Sequence, residues 1–332
     1  MPRVVVVDPS KPDASAIADA AAVLARGGLV AFPTETVYGL GARGLHAAEV
    51  ACIFAAKERP SGHPLILHVD GEPMARSLAS VWSSAASRLV AELWPGPLTL
   101  VVPRALVVPN EVTGGLSTVG LRAPVHPVAR ALIVAVGEPL AAPSANAHMH
   151  VSPTAAEHVV RSLGDRVDLV LDGGPCAYGI ESTVLSLADD PPRVLRPGAV
   201  SLERLRAVDP RIVYERETIE GDAARAAPGM AAKHYAPRAR VVLAERGPSG
   251  VAAAVLGCAG GLAALVSSAA ADAAAGCSRV IVLPDEPDEY ARRLFAALHE
   301  ADASGVETVI VERVPDEPAW WAVADRLRRA AR

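Results

Sequence analysis

The feature that most constrains this chain is a change of rhythm near residue 206. Before it, short β-branched runs alternate irregularly with helical stretches. Across 206–237 the periodicity fades into a charged, Ala-rich, Pro-bounded segment. After it, a simpler strand–helix alternation resumes. Such alternation specifies layered α/β architecture, and 332 residues suit two units better than one. With 51% hydrophobic residues, each unit can bury its own core. The expected organisation is a first unit over 1–205, a linker over 206–237 and a second α/β unit over 238–332.

In the first unit, residues 13–26 (DASAIADAAAVLAR) read as a helix ended by Gly27-Gly28. Residues 46–58 carry Val50, Ile53, Phe54 and Lys57 at helical spacing before Pro60. A further helix is expected at 127–136, and another from Ser152-Pro153 through Leu163, with Ser152 as N-cap and Pro153 at N1. Strands are expected at the N-terminal valine run and at 29–32, 65–69, 98–102, 117–122, 139–142, 167–171, 183–187 and 193–195. Their irregular mixture with helices favours a mixed sheet over a regular parallel one. In the second unit, strands at 240–244, 262–267, 279–283 and 307–312 suggest a small doubly wound fold, without a G-x-G-x-x-G turn.

A net charge of −5 argues against stable binding of long nucleic acid, which draws its affinity from a basic excess. Cys52, Cys176, Cys258 and Cys277 form no C-x-x-C pair and are expected to be scattered, buried thiols of a reducing cytosol. The valine run is too short for a signal peptide, and the apolar stretch 261–276 is interrupted by Ser267, Ser268 and Asp272. The expectation is a soluble, cytoplasmic protein.

The chemistry-bearing residues gather at strand ends and loops of the first unit. Pro33–Leu40 (PTETVYGL) places hydroxyls and a carboxylate past a strand, either for a polar ligand or as a self-bonded turn. Lys57 and Arg59 end a helix, where they either compensate its dipole or clamp phosphate. His68 closes an apolar strand. Arg122 interrupts another and must meet an anion, either an internal acid or a ligand carboxylate. Ser144 and Asn146, then Ser152 and Thr154, can serve as caps or present donors to phosphate. Glu181-Ser182-Thr183-Val184 is followed by Arg196-Pro197-Gly198, a further cation beside a turn. His148 and His150 have no acidic or Cys companion nearby, so a zinc site there is not expected. These residues alone stop at an α/β protein with a site for a small, phosphorylated anion.

Taken in order, FPTETVYGLGA, KERP with the following PL and HV, WPGPLTLV, TVGLRAP, APSAN with SPT, and ESTV with LRPGA resemble the threonylcarbamoyl-AMP synthases of the YrdC-like family. The likeness covers about residues 13–200. The segment APGMAAKHYAP and the second α/β unit look like the family's longer form. The resemblance implies a twisted mixed sheet with a concave, positively charged cavity. It implies L-threonine, bicarbonate and ATP as reactants, with magnesium accompanying ATP through residues it does not identify. Carried over by motif, Thr34, His68, Arg122, the backbone at Ala142, and Ser182 would hold threonine. Lys57, Arg59, Thr118, Ser144, Asn146, Ser152 and Arg196 would hold ATP, and Lys57, Arg59 and Arg196 would offset charge developing during the reaction. Tyr235 would close over the nucleotide, unless it and Met230 only dock the two units. A separate tRNA threonylcarbamoyl transferase would take the product.

The chain departs from the pattern at Ala147-His148-Met149-His150, where many relatives carry a Ser-Gly pair, and at His63, where Asn is common. Carbamoyl transfer of the hydrogenase-maturation type shares a similar domain but comes with Cys-rich zinc modules that this sequence lacks. An RNA-binding module on the same fold fits poorly with the acidic balance.

Overall fold

A computed structural model describes residues 1–215 and 234–332. The first unit runs β1 (Arg3–Val6), α1 (Ala14–Ala25), β2 (Val30–Phe32), β3 (Gly39–Arg43), α2 (Ala47–Lys57), β4 (Ile66–His68), α3 (Glu72–Ser77), α4 (Ser84–Leu93), β5 (Leu98–Pro103), α5 (Asn110–Thr113), β6 (Thr118–Arg122), α6 (Pro127–Val136), β7 (Leu140–Ala141), α7 (Ala156–Leu163), β8 (Leu169–Asp172), β9 (Thr183–Ser186), β10 (Arg193–Arg196) and α8 (Leu202–Val208). The second runs β11 (Arg240–Ala244), α9 (Pro248–Leu256), β12 (Leu262–Val266), β13 (Arg279–Val282), α10 (Pro287–Ala303), β14 (Thr308–Glu312) and α11 (Trp321–Ala330).

The first ten strands form one sheet in the order β1-β8-β2-β3-β7-β4-β6-β5-β9-β10. Parallel pairs such as β4/β6 and β5/β9 alternate with antiparallel ones such as β3/β7 and β5/β6. The expected mixed sheet is therefore present. The second unit is an all-parallel four-stranded sheet, β11-β14-β12-β13. Its central strands β12 and β14 are buried throughout, as parallel strands covered on both faces require. Tyr235 belongs to the hydrophobic core of this second unit, together with Phe295, Leu294 and Trp320.

Local chemistry explains most boundaries. Asp13 caps α1 by accepting from the Ser15 amide, and α6 opens with Pro127 at its start and closes at left-handed Gly137. The expected helix from Ser152 is a misreading. α7 begins at Ala156, because the Ser152 hydroxyl donates to the Glu181 carboxylate rather than capping a helix. Strand β3 went unread, since Gly39-Leu40-Gly41 looks like a turn in sequence but pairs antiparallel with β2. Nor are the cysteines uniformly buried: Cys176 is, whereas Cys52 is exposed.

Candidate active site

Strand ends build the site. His68 and Arg122 close the parallel strands β4 and β6 as register partners, so their side chains leave the sheet on the same face. Ala142 follows β7, and Ser182 precedes β9. Arg196 ends β10 beside a bulge between Val194 and Arg196 that shifts its register, and bulges of this kind re-aim side chains. The next turn packs closely on the 181–183 backbone. A Cβ at Gly198 would lie 2.4 Å from the Thr183 nitrogen and 2.5 Å from the Glu181 carbonyl oxygen, so only glycine fits.

These segments line a small cavity of about 50 Å³ that opens to solvent. Thr34, His68, Arg122, Ala142 and Ser182, the expected threonine contacts, all line it, as do Arg59, Ser144, Arg196 and Tyr235 from the expected ATP set. Glu181 and His234 also line it, without an expected role. Lys57, Thr118, Asn146 and Ser152 do not belong to this lining. Lys57 Nζ donates to the carbonyls of Ser144 and Asn146, each at 2.5 Å. Asn146 Nδ2 donates to the carbonyls of Ala147 and His150. Ser152 is bound to Glu181, and Thr118 is half-buried at the start of β6, opposite Pro103.

Arg122 meets an internal acid. Its Nη2 lies 2.6 Å from Glu35 Oε1, and its Nη1 donates to Thr36 Oγ1 at 2.9 Å. Each terminal nitrogen carries a second hydrogen, so the pairing does not exhaust the donors of Arg122. Thr34 Oγ1 donates to the Val37 carbonyl at 2.6 Å, which makes PTETV both a self-bonded turn and a cavity wall. Arg196 grips Ser182, with Nη2 donating to its carbonyl at 2.9 Å and to its hydroxyl at 3.2 Å. Thr99 and Ser182 share a hydrogen bond of 2.8 Å. The Ala142 amide donates to the Ile66 carbonyl, so toward a ligand this residue offers an acceptor.

Electrostatics favour an anion. Burial draws the Arg59 guanidinium down to about 10, and its Nε has no hydrogen-bond partner. Burial, then Arg59 and Arg166, hold the Lys57 ammonium well below the usual lysine value. Burial and then Arg122 lower His68 to about 3, so it is a neutral imidazole at physiological pH. His68 Nδ1 and His234 Nδ1 are buried and unpartnered. Buried polar atoms without partners are rare in folded proteins, and Arg59, His68 and His234 all carry theirs on the wall of one cavity. Tyr235 adds backbone strain: its φ of 63° lies in the left-handed region, which an aromatic residue enters at a cost that functional sites tolerate.

Glu35 and Glu181 were visible in their motifs, but sequence gave them no partner. Arg326 had no signal at all, since DRLRRAAR reads as the basic end of a surface helix. The structure buries it completely against Glu181. Pro228, Gly229, Met230 and Lys233 of the APGMAAKHYAP segment lie outside the described residues.

Residues 22–198 match a family that joins Sua5, YciO and YrdC, described as telomere recombination, and residues 200–332 match the threonylcarbamoyl-AMP synthase C-terminal domain. The chain is 41% identical to threonylcarbamoyl-AMP synthase of Pyrococcus abyssi, with 94% of this chain and 93% of the relative covered. It is 39% identical to the protein of that name from Bacillus subtilis, covering 95% and 92%. The crystal structure of P. abyssi Sua5 complexed with L-threonine superposes with a TM-score of 0.91 at 37% identity, over 99% of this chain and 97% of that one.

Proposed function

This chain belongs to the threonylcarbamoyl-AMP synthase family, and from that premise we propose that it condenses L-threonine, bicarbonate and ATP into threonylcarbamoyl-AMP and pyrophosphate, as a nucleotidyltransferase. The observation that carries this reading is the convergence of Arg59, His68, Arg122, Ser182, Arg196 and Tyr235 on one cavity.

The threonine amine first attacks bicarbonate, giving a carbamate with loss of water. A carbamate oxygen then attacks the α-phosphorus of ATP, and the bond to pyrophosphate breaks. Such a displacement needs orientation and charge stabilisation more than a protein nucleophile. Arg122 fixes the threonine carboxylate, with Thr34, Ser182 and the Ala142 carbonyl around the rest of the amino acid. Neutral His68 offers a hydrogen bond without adding charge beside Arg122. Arg59 and Arg196 face the phosphates from the cavity wall, and Lys57, which lies behind that wall, must exchange its carbonyl partners for a phosphate oxygen or act through the Ser144–Asn146 loop. One preorganised donor of this kind is worth about 3–4 kcal/mol of barrier. Ser144 completes the nucleotide contacts on the cavity wall, while Thr118, Asn146 and Ser152 stand outside the lining and would contact a nucleotide only where it extends beyond the cavity.

Magnesium enters with ATP as part of the substrate. Among the described residues no group of three His, Cys, Asp or Glu side chains could hold a metal ion. No described helix is long and apolar enough to cross a membrane. The product passes to a threonylcarbamoyl transferase acting on tRNA in the cytoplasm.

Pyrophosphate release tests this reading. It must require L-threonine, bicarbonate and magnesium–ATP together. Release that persists without bicarbonate would indicate ordinary amino-acid adenylation and overturn the proposal.

A further inference from the structure

The second unit reaches into the cavity wall through Arg326 on α11, whose side chain is fully buried. Its Nε donates to Glu181 Oε2 at 3.0 Å and its Nη2 to the Glu181 carbonyl at 3.4 Å. Its Nη1 donates to the Pro197 carbonyl at 2.5 Å. The guanidinium carbon stands 5.5 Å from the centre of the Tyr235 ring, within cation–π range. Glu181 precedes Ser182, which holds Arg196, and Pro197 follows Arg196. Arg326 therefore braces the backbone on both sides of the Ser182–Arg196 pair and meets the ring of Tyr235. The same helix holds the neighbouring residue, because the His234 amide donates to the Arg329 carbonyl. Asp325 anchors the arrangement by pairing with both Arg326 and Arg329.

We propose that Arg326 is a positioning residue for the reaction: it locks the 181–182 and 196–198 segments and the Tyr235 ring into one arrangement, so that Arg196 and Tyr235 meet the nucleotide. This gives the second unit a defined job in catalysis and rests on the synthase reading above. Arg326 does not line the cavity and acts through Glu181, Pro197 and Tyr235. A planar fork suits this task, since it meets a carboxylate, carbonyls and an aromatic face at once, which an ammonium cannot do. Burial opposes its charge, but Tyr235, Glu181 and Asp325 outweigh that and keep the guanidinium above its ordinary pKa.

Full-length Arg326→Met and Arg326→Lys variants test the proposal. Thermal midpoint, L-threonine affinity, affinity for a non-hydrolysable ATP analogue, and kcat and KM for ATP are measured for each. Arg326→Met is expected to lower nucleotide affinity by roughly tenfold or more, with kcat/KM for ATP falling at least as far, and to lower L-threonine affinity, which Arg326 reaches only through Ser182, by several-fold less. Arg326→Lys, with charge but no fork, is expected to recover only part of the loss. Adding Tyr235→Ala to Arg326→Met should weaken the nucleotide little further, as for groups acting as one unit. Equal losses for threonine and nucleotide, or additive losses in the double variant, would reduce Arg326 to a structural residue. If Arg326→Met fails to fold, wild-type nucleotide affinity and kinetics in Arg326→Lys would overturn the proposal. The nucleotide-affinity comparison decides this point independently of turnover, whereas a wild-type chain that makes no product overturns the synthase reading alone.

Discussion

A buried guanidinium needs an anion, and at Arg122 sequence left two candidates, an internal acid and a ligand. The structure supplies Glu35 at 2.6 Å and still leaves Arg122 on the cavity wall. Arg122→Ala should therefore have two separable effects. Threonine affinity falls by about 2–3 kcal/mol through loss of the fork, and the stranded Glu35 carboxylate costs the fold about 3–5 kcal/mol. Pairing Arg122→Met with Glu35→Gln should restore the thermal midpoint but not threonine binding in calorimetry. Recovery of both would mean that Arg122 serves the fold alone. Lys57 makes a second residue-scale test. Its ammonium is depressed by burial in the ligand-free protein, and an arriving polyphosphate favours the charged form. ATP binding should then take up protons at alkaline pH, seen as a binding heat that depends on buffer ionisation enthalpy, and Lys57→Met should remove that dependence. A buffer-independent heat in the wild type would show that Lys57 does not meet the phosphates.

Among the elements, those with a strong period or cap were legible. α1, α2 and α6 and the parallel strands of the second unit fall within a residue or two of their expected limits. The failures have physical causes. Gly39–Arg43 holds two glycines, which mask it as a turn, and its pairing depends partly on β7, about a hundred positions away. The Ser152 hydroxyl answers Glu181, twenty-nine positions away, rather than its own helix. The closing segment was recognised by its mixed composition, with nucleotide contact and inter-unit docking as rival roles. Tyr235 packs into the core of the second unit and also lines the cavity. Its ring stacks on Phe295 with centroids 5.5 Å apart. Tyr235→Ala should thus cost stability on the scale of a large-to-small core substitution, about 3–5 kcal/mol, and also lower ATP affinity. Tyr235→Phe should keep the stability. A stable Tyr235→Ala chain with unchanged ATP affinity would contradict both roles.

At the scale of the whole molecule, the interdependence of the two units was not legible in sequence, because α11 meets Glu181 across 145 positions. A chain ended after residue 205 removes Arg326, Tyr235 and the last turn of α8 together. It is expected to lose most synthase activity, and full-rate turnover by that fragment would show the second unit to be dispensable. Acid should act on the assembly as well. His68 and His299 are held near 3, and His148 and His158 near 4, in each case chiefly by burial. The unfolded chain then binds more protons below the ordinary value of 6.5. Stability present above that pH is progressively lost as pH falls toward the folded values. His158 stacks on His299 between the units with centroids 3.9 Å apart, so His158→Phe should flatten the fall in urea midpoint between neutral and mildly acidic pH. An unchanged slope would exclude this pair as a contributor.

The most direct test of the central claim follows labelled carbon from bicarbonate. With L-threonine, magnesium and ATP, the account predicts that the label appears in a species containing both threonine and AMP, with equimolar pyrophosphate, and that none is incorporated when threonine is omitted. Incorporation of carbamoyl phosphate in place of bicarbonate, or cleavage of ATP to ADP and phosphate without a labelled adenylate, would contradict it.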